Sequence, residues 1–203
     1  MYARMMQALI KPDMLDTAAA ISRDGVLPAA HQQPGFKGLI VLTDPATAKM
    51  VTITLWTTEA MMRAGEASDY LEQQLARMAS ALAAPPTQEA LAVRALEAAH
   101  PNAMQARLLS YQVNPLLLDD FVGTFRDEVL PAARRERGFG TGLLLINPTA
   151  ARAISLTLWD SEADLEGGQI SGDLRARLSH LSRLLINPPV RETFHVDVLE
   201  ILP

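Results

Sequence analysis

The feature that most restricts what this chain can fold into is that it is written twice. Thr54-Leu55-Trp56 returns as Thr157-Leu158-Trp159, an offset of 103 residues, and the same offset carries Arg4 onto Arg107, Pro12 onto Pro115 and Arg23-Asp24 onto Arg126-Asp127. It also carries Val26-Leu27-Pro28-Ala29-Ala30 onto Val129-Leu130-Pro131-Ala132-Ala133, Gly35-Phe36 onto Gly138-Phe139 and Pro85-Pro86 onto Pro188-Pro189. A gapless period of this length is domain duplication rather than a solenoid array. The units are residues 1–98 and 104–203, each large enough to bury a core of its own.

Each unit reads strand, helix, strand, strand, helix, strand. Arg4 to Ile10 and Arg107 to Val113 are first strands ended by a proline that cannot continue a ladder. A helix follows in which Pro28 or Pro131 kinks or closes the last part before a Gly-Phe turn. Leu39 to Thr43 and Met50 to Trp56 form a hairpin about Asp44-Pro45-Ala46-Thr47, and Leu143 to Ile146 and Ala153 to Trp159 do so about Asn147-Pro148. Ser161-Glu162-Ala163-Asp164 has the form of a capping box. A long helix then runs to Leu82 or Leu185, and Ala90 to Leu96 or Thr193 to Leu199 closes the unit. That order is the ferredoxin-like split βαβ arrangement, an α+β fold with helices on one sheet face. In the third strand Val51, Ile53 and Leu55, matched by Ile154, Leu156 and Leu158, are expected beneath the helices. Thr52, Thr54 and Trp56 are then left on a half-polar open face for which the second copy is the natural partner, giving a pseudo-dimeric α+β barrel.

Composition removes several classes of function. A formal net charge of −5 and a pI near 5.4 argue against a nucleic-acid binder, which needs clustered Lys and Arg at phosphates. The one basic cluster, Arg134, Arg135 and Arg137, is interrupted by Glu136 and precedes a Gly, so it reads as a solvated helix end, with an anion site as the alternative. There is no cysteine, hence no disulfide, thiolate metal site or Cys nucleophile. Met1 to Ile10 lacks a cleavable-leader pattern and no segment approaches the ~20 apolar residues that span a bilayer. The expectation is a cytoplasmic protein with neither nucleic-acid nor membrane partner, and assembly into a homo-oligomer is left open.

His31, His100, His180 and His195 are not at metal-ligand spacing, so no protein-built metal site is expected. Nor is there a phosphate loop or a nucleophile elbow. His195 stands apart: in Phe194-His195-Val196-Asp197-Val198 alternation turns His195 and Asp197 together to the open face, as an oriented general base or as a polar surface pair. Ser110, Gln112, Thr157 and Trp159 are expected on the same face, whereas the first half offers Gln7, Thr52, Thr54 and Trp56. His195 and Asp197 are thus the candidate catalytic residues, and Trp159, Trp56, Thr157, Ser110 and Gln112 the candidate substrate contacts. Chemistry, if present, is expected in the second half. The Trp pair reads equally as packing, and the methionines as core filler.

Trp159-Asp160-Ser161-Glu162-Ala163, with Gly138-Phe139 before it and Pro188-Pro189 after it, resembles the antibiotic biosynthesis monooxygenase domain family, over the whole chain and twice. The resemblance implies two fused members of the dimeric α+β barrel superfamily around a central cavity. Haem-degrading members carry a His on the helix after the Trp and an Asn in strand one. Here those positions are Gly65 or Gly168, and near Met6 or Leu109. No haem, flavin or metal cofactor is therefore expected. The resemblance implies a cofactor-independent monooxygenase acting on a small aromatic or quinol-like molecule, and the alternative is a noncatalytic barrel that binds a small apolar molecule or assembles.

Overall fold

The computed structural model describes residues 1–100, 102–166 and 171–203. The first repeat forms β1 (Tyr2–Leu9), α1 (Leu15–Ile21), α2 (Leu27–His31), β2 (Phe36–Asp44), β3 (Lys49–Trp56), α3 (Glu59–Ala67), α4 (Asp69–Met78) and β4 (Thr87–Ala98). The second forms β5 (Gln105–Gln112), α5 (Leu118–Thr124), α6 (Leu130–Ala133), β6 (Phe139–Asn147), β7 (Arg152–Trp159), α7 (Glu162–Glu166), α8 (Gly172–Ser182) and β8 (Val190–Ile201). The strands are hydrogen-bonded in the order β1-β3-β2-β8-β5-β7-β6-β4, which closes into a barrel. Within it β4-β1-β3-β2 and β8-β5-β7-β6 are each the ferredoxin-like order. The fold is α+β, two ferredoxin-like repeats in one pseudo-dimeric barrel.

The compact units are Met1–Leu91 with His195–Pro203, and Ala92–Phe194. They are not the sequence repeats 1–98 and 104–203, because the last strands are exchanged. In the first unit the outer partner of β2 is the end of β8, from Thr43↔His195 to Gly38↔Ile201. In the second the outer partner of β6 is the end of β4, from Ala92↔Ile146 to Ala98↔Thr141. Each exchanged strand is bulged at the same place in the repeat, at Asp197 between Val198 and Val196 and at Arg94 between Val93 and Ala95.

Local chemistry explains the elements. Asp44 closes the first hairpin by accepting from the Ala46 N–H at 2.9 Å and the Thr47 hydroxyl at 2.5 Å, and Asn147 closes the second by accepting from the Ala150 N–H at 3.1 Å. Neither Pro28 nor Pro131 stops its helix. A proline removes the N–H owed to the carbonyl four residues earlier, and the chain answers with a π turn, Ser22–Val26 or Phe125–Val129, before the helix resumes. The long helix expected after β3 is broken at Ser68, whose hydroxyl caps α4 by accepting from the Tyr70 N–H at 3.3 Å. The basic cluster is spent on acids: Arg134 on Glu97, Arg135 on Asp173 at 2.6 Å and Arg137 on Asp164 at 3.4 Å.

The expected assignment of sheet faces is reversed. The core beneath the first unit's helices contains Leu39, Val41, Met50, Trp56, Met62 and Tyr70, so Trp56 and its alternation partners Thr52 and Thr54 lie on the helix side. Val51, Ile53 and Leu55 occupy the opposite face and are 0% exposed. The second unit repeats this, with Tyr111, Leu144, Ala153 and Trp159 on the helix side. A threonine is tolerated there because the indole satisfies it: Trp56 Nε1 donates to Thr54 Oγ1 at 2.9 Å and Trp159 Nε1 to Thr157 Oγ1 at 3.0 Å. Arg4 completes the first buried cluster, its guanidinium 5.7 Å over the Trp56 ring and donating to the Met62 carbonyl at 2.6 Å.

Candidate functional site

Two cross-strand pairs of β1 and β3, Met6↔Thr52 and Ala8↔Met50, make the floor of a cavity of about 70 Å³ in the first unit. Ser22 and Val26 of the π turn form one wall, and the α4 face Leu71, Gln74, Leu75 and Met78, at helical spacing, forms the other. Room remains because Ala8 and Ser22 are small. The lining is apolar apart from three groups. Ser22 Oγ donates its proton to the Ala18 carbonyl at 3.0 Å and keeps only lone pairs to offer. The Thr52 hydroxyl can turn either way. Gln74 is 7% exposed, its Nε2 donates to the Tyr70 carbonyl at 3.3 Å, and its Oε1 is buried without a partner. None of the lining side chains titrates near neutral pH. Beside this wall burial raises the Tyr70 phenol, against the opposing pull of the Arg4 charge.

The same place in the second unit is filled. At the offset of 103, Ala8 becomes Tyr111 and Ser22 becomes Phe125, 4% and 2% exposed, while Met50 shrinks to Ala153 and Thr52 to Ser155. The Tyr111 ring meets Phe121 edge-on at 5.2 Å and its hydroxyl bonds Ser155 at 2.8 Å. Burial pushes the Tyr111 phenol up to about 12, partly offset by the Ser155 hydrogen bond. Gln74 is replaced by Arg177, held by Glu128 and Asp173 at 3.0 Å each. Two copies of one fold thus treat one site in opposite ways, and the open one belongs to the first copy.

Comparison with known proteins bears on the fold. No protein-family profile matches the chain. It is 28% identical over 163 residues to the uncharacterised Mycobacterium tuberculosis protein Rv2557, spanning 79% of this chain and 71% of that one. It is also 28% identical over 181 residues to Rv2558 of the same organism, spanning 87% and 75%. Among solved structures, a candidate monooxygenase from Fusobacterium nucleatum superposes with a TM-score of 0.81 over 98% of this chain and 94% of that one, at 10% identity. This likeness is one of fold, two fused ferredoxin-like repeats in a single chain. An anthrone oxidase-like protein shares this fold, with a TM-score of 0.71 over 98% and 92% of the two chains at 12% identity.

On this scaffold the residues singled out from sequence do not converge. Trp56 and Trp159 are core residues, 0% and 5% exposed, each packed edge-on against Phe36 or Phe139. Thr157 receives the Trp159 indole proton. Ser110 pairs with Ile154 across β5 and β7, on the face opposite to Thr157, and Gln112 donates to the Ala150 carbonyl at 3.0 Å. The single shared face expected from alternation is therefore not formed, because the Thr-x-Trp set lies on the helix side while Ser110 lies with Ile154 on the opposite face. His195 and Asp197 belong to the first compact unit rather than the second. His195 is exposed opposite Thr43, and Thr43 is itself opposite Met50, so His195 lies roughly two strand spacings, about 10 Å, from the pocket floor. Asp197, on the bulge, accepts from the Thr43 hydroxyl at 2.6 Å.

Gly65 lies beside the buried indole, where a Cβ would meet Trp56 Cη2 at 3.6 Å, and it offers no imidazole to a haem iron. Gly168 lies outside the described residues. The first-unit cavity, at about 70 Å³, is too small for a haem. No three His, Asp or Glu side chains gather into a metal-ligand group among the described residues, and no described helix is long and apolar enough to cross a membrane. The residues that sequence reading missed are Ala8, Ser22 and Gln74. The signal for Ala8 and Ser22 was in the repeat itself, where one copy is small and its match, Tyr111 or Phe125, is aromatic, and for Gln74 it was the replacement by Arg177.

Proposed function

We propose that the chain binds a small aromatic or quinol-like molecule in the pocket of its first unit, one molecule per chain, and acts on it as a cofactor-independent monooxygenase-like oxidoreductase. The observation that carries this reading is the contrast between the open pocket and the copy filled by Tyr111 and Phe125. The pocket is partly open and apolar, and in the second copy larger side chains occupy the matching positions of the same fold. An occupant is the simplest reason for the first copy to keep the space. Met6, Met50 and Met78 give the walls the freedom to enlarge around a ring. Solved proteins of this fold named as a candidate monooxygenase and as anthrone oxidase-like support the chemical class.

A noncatalytic carrier is the second reading, and the neutral lining favours it, since no side chain there can take a proton near pH 7. The enzyme reading then requires a substrate that ionises by itself and is only positioned by the pocket. Oxygen uptake measured with a panel of quinols, beside calorimetric titration of the same compounds, separates the two. Uptake that disappears when the first pocket is filled supports the enzyme. Saturable binding at one molecule per chain without uptake supports the carrier, and no saturable binding at all overturns both.

A further inference from the structure

We propose that two copies of this chain pair about a two-fold axis through one end of the second unit, the end where α5 begins, α8 finishes and β8 starts. Three large apolar side chains stand exposed there: Leu116 at 91%, Ile186 at 56% and Val190 at 62%. The backbone gathers them. Val113 bridges Leu185, the Ile186 N–H donates to the Gln112 carbonyl at 2.9 Å, and the Asn114 N–H donates to the Leu184 carbonyl at 3.0 Å. Leu116 is three residues past Val113 and Val190 five past Leu185, so none of the three is more than about 18 Å of extended chain from that bridge. A stable interface covers about 800 Å² per partner, a patch roughly 30 Å across, which takes in all three. The fold does not impose this surface, because the first unit lacks it. At the offset of 103, Leu116, Ile186 and Val190 answer to Asp13, Ala83 and Thr87. Apolar groups gathered in water at one end of a unit mark a contact surface.

The charges beside the patch assign a second copy as its occupant. Asp119 and Asp120 stand exposed on the Leu116 side, and Arg183 and Arg191 on the side of Ile186 and Val190. None of these four side chains is in a hydrogen bond or an ion pair among the described residues. Arg183 and Arg191 answer to Ser80 and Gln88, so the basic flank is as particular to the second unit as the apolar centre. A surface acidic on one flank and basic on the other is its own complement. A two-fold axis lays the acids of each copy against the arginines of the other, around a shared apolar centre.

Sedimentation velocity of the full chain over about 1 to 100 μM is expected to show a species of twice the chain mass and nothing larger, because a two-fold contact closes on itself. Leu116→Asp, Ile186→Ala and Val190→Thr together copy the first unit and are expected to weaken the dimer by about 100-fold or more. Leu116→Asp alone, at the most exposed of the three positions, serves should the triple variant fail to fold. Arg183→Glu with Arg191→Glu, and separately Asp119→Lys with Asp120→Lys, are each expected to give a monomer. Mixing those two variants is expected to restore a dimer, since unlike flanks then meet. A chain that is monomeric throughout, as it would be if a different protein or nothing covered this face, overturns the inference. So does a dimer that survives both the triple variant and Leu116→Asp, which would put the contact elsewhere, and so does growth into a series of larger species. Failure of the mixed charge variants to pair, with the triple variant monomeric, refutes the two-fold arrangement and the proposal with it.

Discussion

At the scale of single residues, the contrast between matched positions predicts behaviour that neither copy shows alone. The combined change Ala8→Tyr, Ser22→Phe and Met50→Ala transplants the filled arrangement, and the new phenol finds Thr52 where Tyr111 finds Ser155. Stability in urea is expected to hold or rise by about 1–2 kcal/mol, as the void disappears, while binding of small phenols is lost. Tyr111 carries a prediction of its own. Burial pushes its pKa up to about 12 from the ordinary phenol value of about 10, so its contribution is complete below pH 10 and is lost as the pH climbs toward 12. That loss is on the order of 2–3 kcal/mol. Tyr111→Phe should be less stable at neutral pH, since it strands the Ser155 hydroxyl, yet show a flatter decline in denaturation midpoint between pH 10 and 12. A decline as steep as that of the unmodified protein would mean that another group governs the alkaline limit.

At the scale of elements, the exchanged strands depend on close backbone approach. A Cβ at Gly38 would lie 2.4 Å from the Glu200 carbonyl oxygen, which is backbone and cannot swing aside. Gly38→Ala is therefore expected to push the end of β8 away from β2 and to destabilise by on the order of 1–3 kcal/mol. Hydrogen exchange would locate the damage: amides of Leu199 to Ile201 should lose protection before those of β1 and β3. Uniform loss across the sheet would instead indicate that β8 docks as part of the global folding unit. The π turns are a second case. They were legible only as a proline inside an apolar helical pattern, because whether such a proline ends, kinks or re-registers a helix depends on whether packing on either side holds the helix together. Here Ser22 and Val26, or Phe125 and Val129, are buried in both directions of the turn.

For the molecule as a whole, the unit of sequence and the unit of packing differ. A fragment spanning residues 1–98 contains β2 but lacks the strand that covers its edge, and a fragment spanning 104–203 contains β6 without its partner. Exposed edges of this length invite non-native pairing. Each fragment expressed alone is expected to be poorly folded or self-associated, and mixing the two is expected to restore near-ultraviolet circular dichroism and a single species of the size of the intact chain. Two fragments that each fold to a stable monomer would show that strand exchange contributes little to stability.

The duplication, the ferredoxin-like order, the hairpin turns at Asp44 and Asn147 and the acidic, cysteine-free inventory are properties of the amino-acid sequence by itself, because each rests on composition, on local chemistry or on identity between the copies. Three matters were decided only by tertiary structure. Alternation in β3 separates Val51, Ile53 and Leu55 from Thr52, Thr54 and Trp56, but parity carries no sign when both faces are buried, and the indole that satisfies Thr54 put the apparently polar set beneath the helices. Strand exchange pairs β2 with residues more than 150 positions distant, which no local pattern encodes. The open pocket followed from both, since Ala8 and Ser22 become neighbours of Gln74 only after the face is chosen and the helices are laid upon it.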